Sequence, residues 1–207
     1  MRKTSHVRLR DGILRTMRRS AFTVVVLAAQ LLAGCASSPL RADDIEDVPL
    51  KAVEYVDLDR YMGRWYMISN IPYFAERGNV AARVEYSLRR DGEIDDLLTA
   101  QEGFDKPPFT RLGRISISDP QTQAEGMITF LPPLSQPFSI VYLDDAYQYT
   151  VVAHPSRNFC WIFSRKPRMS DEAYQGVLDV LKANLFDVSR ILKIPQTPEQ
   201  VGTLGFQ

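Results

Sequence analysis

Alternation of apolar and polar positions with a period of two runs through this chain from Trp65 to Arg165. In Val80–Leu88, Val80, Ala82, Val84, Tyr86 and Leu88 alternate with Ala81, Arg83, Glu85 and Ser87, which is the pattern of a strand with one buried face. Trp65, Met67 and Ser69 alternate with Tyr66 and Ile68 and predict an earlier strand. Further strands are predicted over Ile94–Glu102, Arg111–Ser118, Ala124–Leu131, Phe138–Leu143, Tyr147–Ala153 and Phe159–Arg165. Asp91-Gly92, Asp119–Thr122 and Asp144-Asp145 are turn-formers between them. Eight strands without an intervening helix predict an all-β fold, an eight-stranded antiparallel up-and-down barrel. After Ser170 the period changes. Tyr174, Leu178, Leu181 and Leu185 recur at helical spacing, with Asp171 and Glu172 in the first turn. A C-terminal α-helix packed on the outside of the barrel is expected, and a short strand over Arg190–Ile194 beside the first.

In an up-and-down meander, consecutive connections fall at opposite ends. One end collects the three short polar turns. The other collects Asn70–Asn79, Gly103–Thr110, Pro132–Pro137 and His154–Asn158, which are longer and carry Ile71, Pro72, Tyr73, Phe74, Phe104, Phe109 and Leu134. A barrel closed at one end with an apolar rim at the other has the shape of a cup, and barrels of this size either fill with side chains or hold one small ligand. Strand parity places Met67, Val84 and Tyr86 in the cavity, with Phe74, Phe104 and Phe109 at its mouth. Tyr142 or Tyr149 is expected to supply a hydroxyl. Arg83 faces out by the same parity, so no charged anchor is expected inside, and Asp95-Asp96 reads as hairpin surface.

The 207 residues are 45% hydrophobic, enough for one sizeable core. The amino terminus stands apart. Met1–Gly34 holds seven Lys and Arg against a single Asp, and its apolar run Ala21–Ala33 suits a signal-peptide core but is too short to span a bilayer. Met17 is an alternative start. Leu32-Ala33-Gly34-Cys35 resembles a lipobox, where bacteria lipidate a cysteine and cleave before it. The expected division is a signal peptide over 1–34, lipidated Cys35 and a polar tether over 35–54, the barrel and helix over 55–195, and a tail over 196–207. Loss of residues 1–34 turns the balance of 25 basic and 25 acidic residues into 18 and 24. Nucleic acid is therefore not an expected partner. With Cys35 lipidated, Cys160 has no intrachain partner and reads as a buried, inert thiol.

The stretch Tyr61–Gly78 holds a Gly63-x-Trp65 pair at the start of the first strand, followed by Ala75-Glu76-Arg77-Gly78; Trp161-Ile162-Phe163-Ser164-Arg165 comes near the end. This ordered set resembles the lipocalins, in particular bacterial outer-membrane lipocalins and their apolipoprotein D-like relatives, over Val53–Ile194. The resemblance implies that Arg165 stacks across Trp65 to close the floor. It also implies that Asp144, Asp145 and Tyr147 fill a second structural motif, here without its threonine. Ala36 after Cys35 fits sorting to the outer membrane. The implied function is a lipid-anchored, periplasm-facing carrier that binds, stores or transports a fatty acid or lysophospholipid. A second copy of the chain, as a homodimer, is a further expected partner. The alternative is a structural or partner-binding lipoprotein with a filled barrel.

Catalytic patterns are missing. Downstream of the signal segment the single histidine is His154, read as a solvated loop residue, and no G-x-S-x-G, H-E-x-x-H, C-x-x-C or Gly-rich phosphate loop occurs. A Cys160–His154 pair has no third, orienting group, and apolar neighbours raise the thiol pKa. No enzyme, cofactor or metal is expected.

Overall fold

Each of the first eight strands pairs antiparallel with its neighbour in the chain, and the first closes onto both the second and the eighth. The computed structural model describes residues 48–207; the signal segment, Cys35 and the tether as far as Asp47 lie outside the described residues. The strands are β1 (Gly63–Ile71), β2 (Val80–Leu88), β3 (Ile94–Gln101), β4 (Phe109–Ile117), β5 (Glu125–Leu131), β6 (Leu134–Leu143), β7 (Tyr149–Ala153) and β8 (Cys160–Ser164). A two-residue β9 (Leu192–Lys193) adds to β1. The expected eight-stranded antiparallel barrel is what the chain forms.

Two apolar clusters divide along the strand alternation. Inside lie Trp65, Met67, Val84, Tyr86, Ile94, Leu98, Ile115, Phe138, Ile140 and Phe163. Outside, Val141, Val151, Ala153, Cys160 and Ile162 form a patch covered by α2 (Asp171–Ala183). The Ser170 hydroxyl accepts from the Ala173 N–H at 3.2 Å and caps this helix. Val177 and Leu181 carry its buried face, flanked by Tyr174 and Leu178, while Leu185 falls beyond the helix with a left-handed φ of 65°. Burial pushes the Cys160 thiol up to about 12, so it stays a protonated, unreactive group.

Two bulges shift the alternation. In β1 the pairing with β8 slips between Met67 and Ser69, which sets Ser69 opposite Ile162 and Asn70 opposite Trp161. Ser69 therefore leaves the face of Trp65 and Met67, contrary to the simple period, because the bulge inserts one extra residue. In β6 the same happens between Ile140 and Tyr142. The proline-rich stretch is also more ordered than its composition suggests. Leu131 pairs with Leu134 around a cis Pro132-Pro133 turn, and β6 begins there rather than at Phe138. A proline removes only its own donor from a ladder, so Pro137 is accommodated opposite Met127.

Both ends of the described chain are tied down. The segment expected as a tether up to Glu54 is held to the barrel from Val48 onward. Arg157 Nη2 donates to Val48 O at 2.6 Å, Lys51 N–H to Asn184 Oδ1 at 3.0 Å, and Val53 N–H to Ile140 O at 2.9 Å. The carboxyl-terminal residues, expected as a tail, fold back onto β1, where Gln207 Nε2 donates to Asn70 Oδ1 at 3.0 Å.

Gly126 makes room inside the wall. A Cβ there would collide with the Ser116 carbonyl oxygen and stand 2.8 Å from Phe138 Cε1. Gly126→Ala is expected to destabilise the fold by about 1–3 kcal/mol through overpacking, read as a lower urea midpoint with an unchanged slope. A wild-type midpoint would show that the wall yields.

Candidate ligand-binding site

The floor comes first, and of its residues Leu58, Tyr61 and Met62 also line the cavity above it. A short helix α1 (Leu58–Tyr61), capped by Asp57, crosses the closed end. Gly63 follows at φ +90°, a conformation that admits glycine readily and other residues at a cost. Trp65 is 0% exposed, and its Nε1–H donates to Tyr61 O at 2.8 Å. The Arg165 guanidinium lies 3.8 Å from the Trp65 ring centre and donates to Arg64 O at 2.9 Å, Arg60 O at 2.7 Å and Tyr61 O at 3.0 Å. Cation–π attraction and these three carbonyl bonds, with a fourth from Arg165 Nε to Tyr147 O at 3.3 Å, lock the floor with one side chain. Asp144, in the β6–β7 turn, accepts from Gln148 N–H at 2.7 Å, and Tyr147 Oη accepts from Asp57 N–H at 2.9 Å.

Above the floor the barrel encloses a cavity of about 400 Å³. Met67, Val84, Tyr86, Leu98, Ile115 and Phe163 line its walls, and Phe74 and Phe130 reach its mouth. Phe74 is 90% exposed there. Three of the expected residues are placed elsewhere. Tyr142 faces the outer cluster beneath α2, because the β6 bulge puts it on the same side as Val141. Phe104 is in the β3–β4 loop and does not line the cavity. Phe109 packs on the interior cluster beside the Arg111 guanidinium without reaching the cavity surface. Tyr149 does not line it either.

The mouth is more polar than expected. Glu76, in the β1–β2 loop, accepts from Asn70 Nδ2 at 3.0 Å, Tyr73 N–H at 3.1 Å and Trp161 Nε1 at 3.1 Å. Burial nevertheless raises its pKa. The Tyr73 and Phe159 rings stack with centres 3.8 Å apart, fastening the same loop to the end of the β7–β8 loop. His154 is half-buried and lines the cavity; its Nδ1 accepts from the Ser156 N–H at 3.1 Å, and burial lowers its pKa. Arg111 lines the same rim.

Asp96 is the largest departure from the sequence reading. It is 3% exposed, it lines the cavity, and burial pushes its carboxyl up to about 7. It is not hairpin surface. The signal was present, since Ile94, Asp96, Leu98 and Ala100 share one parity and three of the four are apolar. The run of two aspartates next to Asp91-Gly92 hid it.

The sequence matches the lipocalin-like domain over residues 56–196. It is 30% identical over 184 residues to the outer membrane lipoprotein Blc of Escherichia coli K12, covering 87% of this chain and 98% of that one. It is also 30% identical over 169 residues to temperature-induced lipocalin-1 of Arabidopsis thaliana, covering 76% and 90%. Among solved structures, apocrustacyanin C2 superposes with a TM-score of 0.58 at 18% identity, covering 73% of this chain and 92% of its own, a likeness of fold. With the Gly63–Trp65–Arg165 floor, the closed eight-stranded barrel and the outer helix, these matches establish that the chain belongs to the lipocalins.

Proposed function

We propose that this protein is a lipid-anchored lipocalin of the bacterial outer membrane, facing the periplasm, which binds, stores or transports a fatty acid or lysophospholipid without catalysis. The observation that carries this reading is the apolar cavity of about 400 Å³, closed by the Trp65–Arg165 floor and open between Phe74 and Phe130. Such a volume suits an alkyl chain and argues against a barrel filled with its own side chains. Each buried methylene contributes roughly 0.8 kcal/mol, so about a dozen would support micromolar affinity after association costs. The anchor reading rests on Leu32–Cys35 and on the relatives named outer membrane lipoproteins. Among the described residues no helix is long and apolar enough to cross a membrane, so acylation of Cys35 would supply the attachment.

Native mass spectrometry of the full chain carrying Cys35→Ser, with organic extraction of what co-purifies, tests the carrier. A stoichiometric acyl-chain adduct that shifts tryptophan fluorescence on re-addition is expected, because Trp161 lines the cavity. A clean protein mass, with no response to fatty acids or lysophospholipids, would turn the search to protein partners.

A further inference from the structure

Asp96 sits where an alkyl-chain carrier gains nothing from a carboxyl group. Its neighbours on the inner face of β3, Ile94 and Leu98, line the cavity as apolar residues. Across the sheet it pairs with Tyr86 on β2 and Gly113 on β4. Asp96 Oδ1 has no hydrogen-bond partner among the described residues, and Asp96 joins no ion pair there. The nearby Tyr61 hydroxyl is engaged with Thr150 Oγ1 at 3.3 Å. A buried, unsatisfied acceptor is costly, and a leucine would avoid that cost. A carboxyl kept in an apolar wall, one oxygen sealed off without a partner on a residue that lines the cavity, therefore points to a donor on the ligand.

The mouth narrows the choice of donor. Arg111 pairs with Leu98, one inward position nearer the opening and about 7 Å farther along the strand. A cation there attracts an anionic head and disfavours an amine. It leaves the chain of the ligand, rather than its head, beside Asp96. An uncharged hydroxyl on that chain can pair with the carboxyl whether or not the carboxyl holds its proton.

We propose that the cavity selects acyl ligands bearing a hydroxyl on the chain, which donates to the Asp96 carboxyl while the anionic head stays at the mouth beside Arg111. This rests on the carrier function above and names its ligand class. The test titrates the full chain with Cys35→Ser, by tryptophan fluorescence, with palmitate and with its β-hydroxy, mid-chain hydroxy and ω-hydroxy derivatives. At least one hydroxylated probe should bind about tenfold more tightly than palmitate. Asp96→Leu should erase that preference while palmitate still binds. Asp96→Asn, which keeps an acceptor oxygen, should retain it. Equal binding of all four probes, or a preference that survives Asp96→Leu, overturns the hydroxyl anchor and leaves the carrier standing. Binding by none of them, nor by a lysophospholipid added as a fifth probe, overturns both.

Discussion

Trp65→Ala is expected to lower the unfolding free energy by about 3–5 kcal/mol, a large share of what a domain of this size possesses. The indole is fully buried, 5.2 Å from the Tyr61 ring centre and beneath the Arg165 guanidinium. Its removal opens a cavity in the floor, leaves Tyr61 O without the indole N–H, and takes from Arg165 the ring it stacks on. The consequence extends beyond one side chain, since Arg165 joins α1 to the start of β1 through its three shortest carbonyl contacts. Urea unfolding of Trp65→Ala and Trp65→Phe should rank wild type above Phe and Phe above Ala. Because Trp65 does not line the cavity, the Phe variant should keep ligand affinity while losing stability. A Trp65→Ala protein within about 1 kcal/mol of wild type would show that the floor does not depend on this residue.

The second large effect is a dependence of stability on pH that Asp96→Asn removes. Burial holds the folded carboxyl at about 7, against an ordinary value of 3.8. Between those values the folded protein keeps a proton that the unfolded chain has released. The contribution of Asp96 to stability therefore falls as pH rises from about 4 to 7, and its loss is complete above the folded value. Asp96→Asn should match wild type near pH 3 and exceed it by a few kcal/mol near pH 8. Glu76, also raised by burial, contributes a slope of the same sign. That slope is common to both proteins and cancels in their difference. Parallel stability curves across this range would mean that the Asp96 carboxyl ionises inside the barrel without cost.

Strand parity carried most of the fold because period-two alternation is a direct consequence of one wall facing inward. Val84 and Tyr86 were legible for that reason, as were the turns at Asp91-Gly92 and Asp144-Asp145. Parity fails where a residue is added to a strand without a local signature. Tyr142 and Ser69 sit next to such bulges, and nothing in Ile140–Leu143 or Met67–Ile71 announces them. The proline-rich hairpin misled in the other direction, since Pro132–Pro137 has the composition of a loop and only two of its residues form the turn. Asp96 was hidden by the ordinary prior that an aspartate close to a turn is solvated. A buried ionisable group breaks that prior, and here the place where composition misled is a residue that lines the cavity.

The strap from Val48 to Val56 fixes where the chain enters the barrel. Val48 is bound by Arg157 in the β7–β8 loop at the open end, and Val56 N–H donates to Thr122 O at 2.8 Å in a turn at the closed end. The polypeptide thus reaches the barrel at its rim and runs down the outer wall before it folds. Cys35 is thirteen residues ahead of Val48, a span of at most about 45 Å. An acylated Cys35 would keep the rim, rather than the base, within that distance of the lipid. The chain therefore enters the fold beside the exposed Phe74, Leu131 and Leu134, on the side from which the cavity opens.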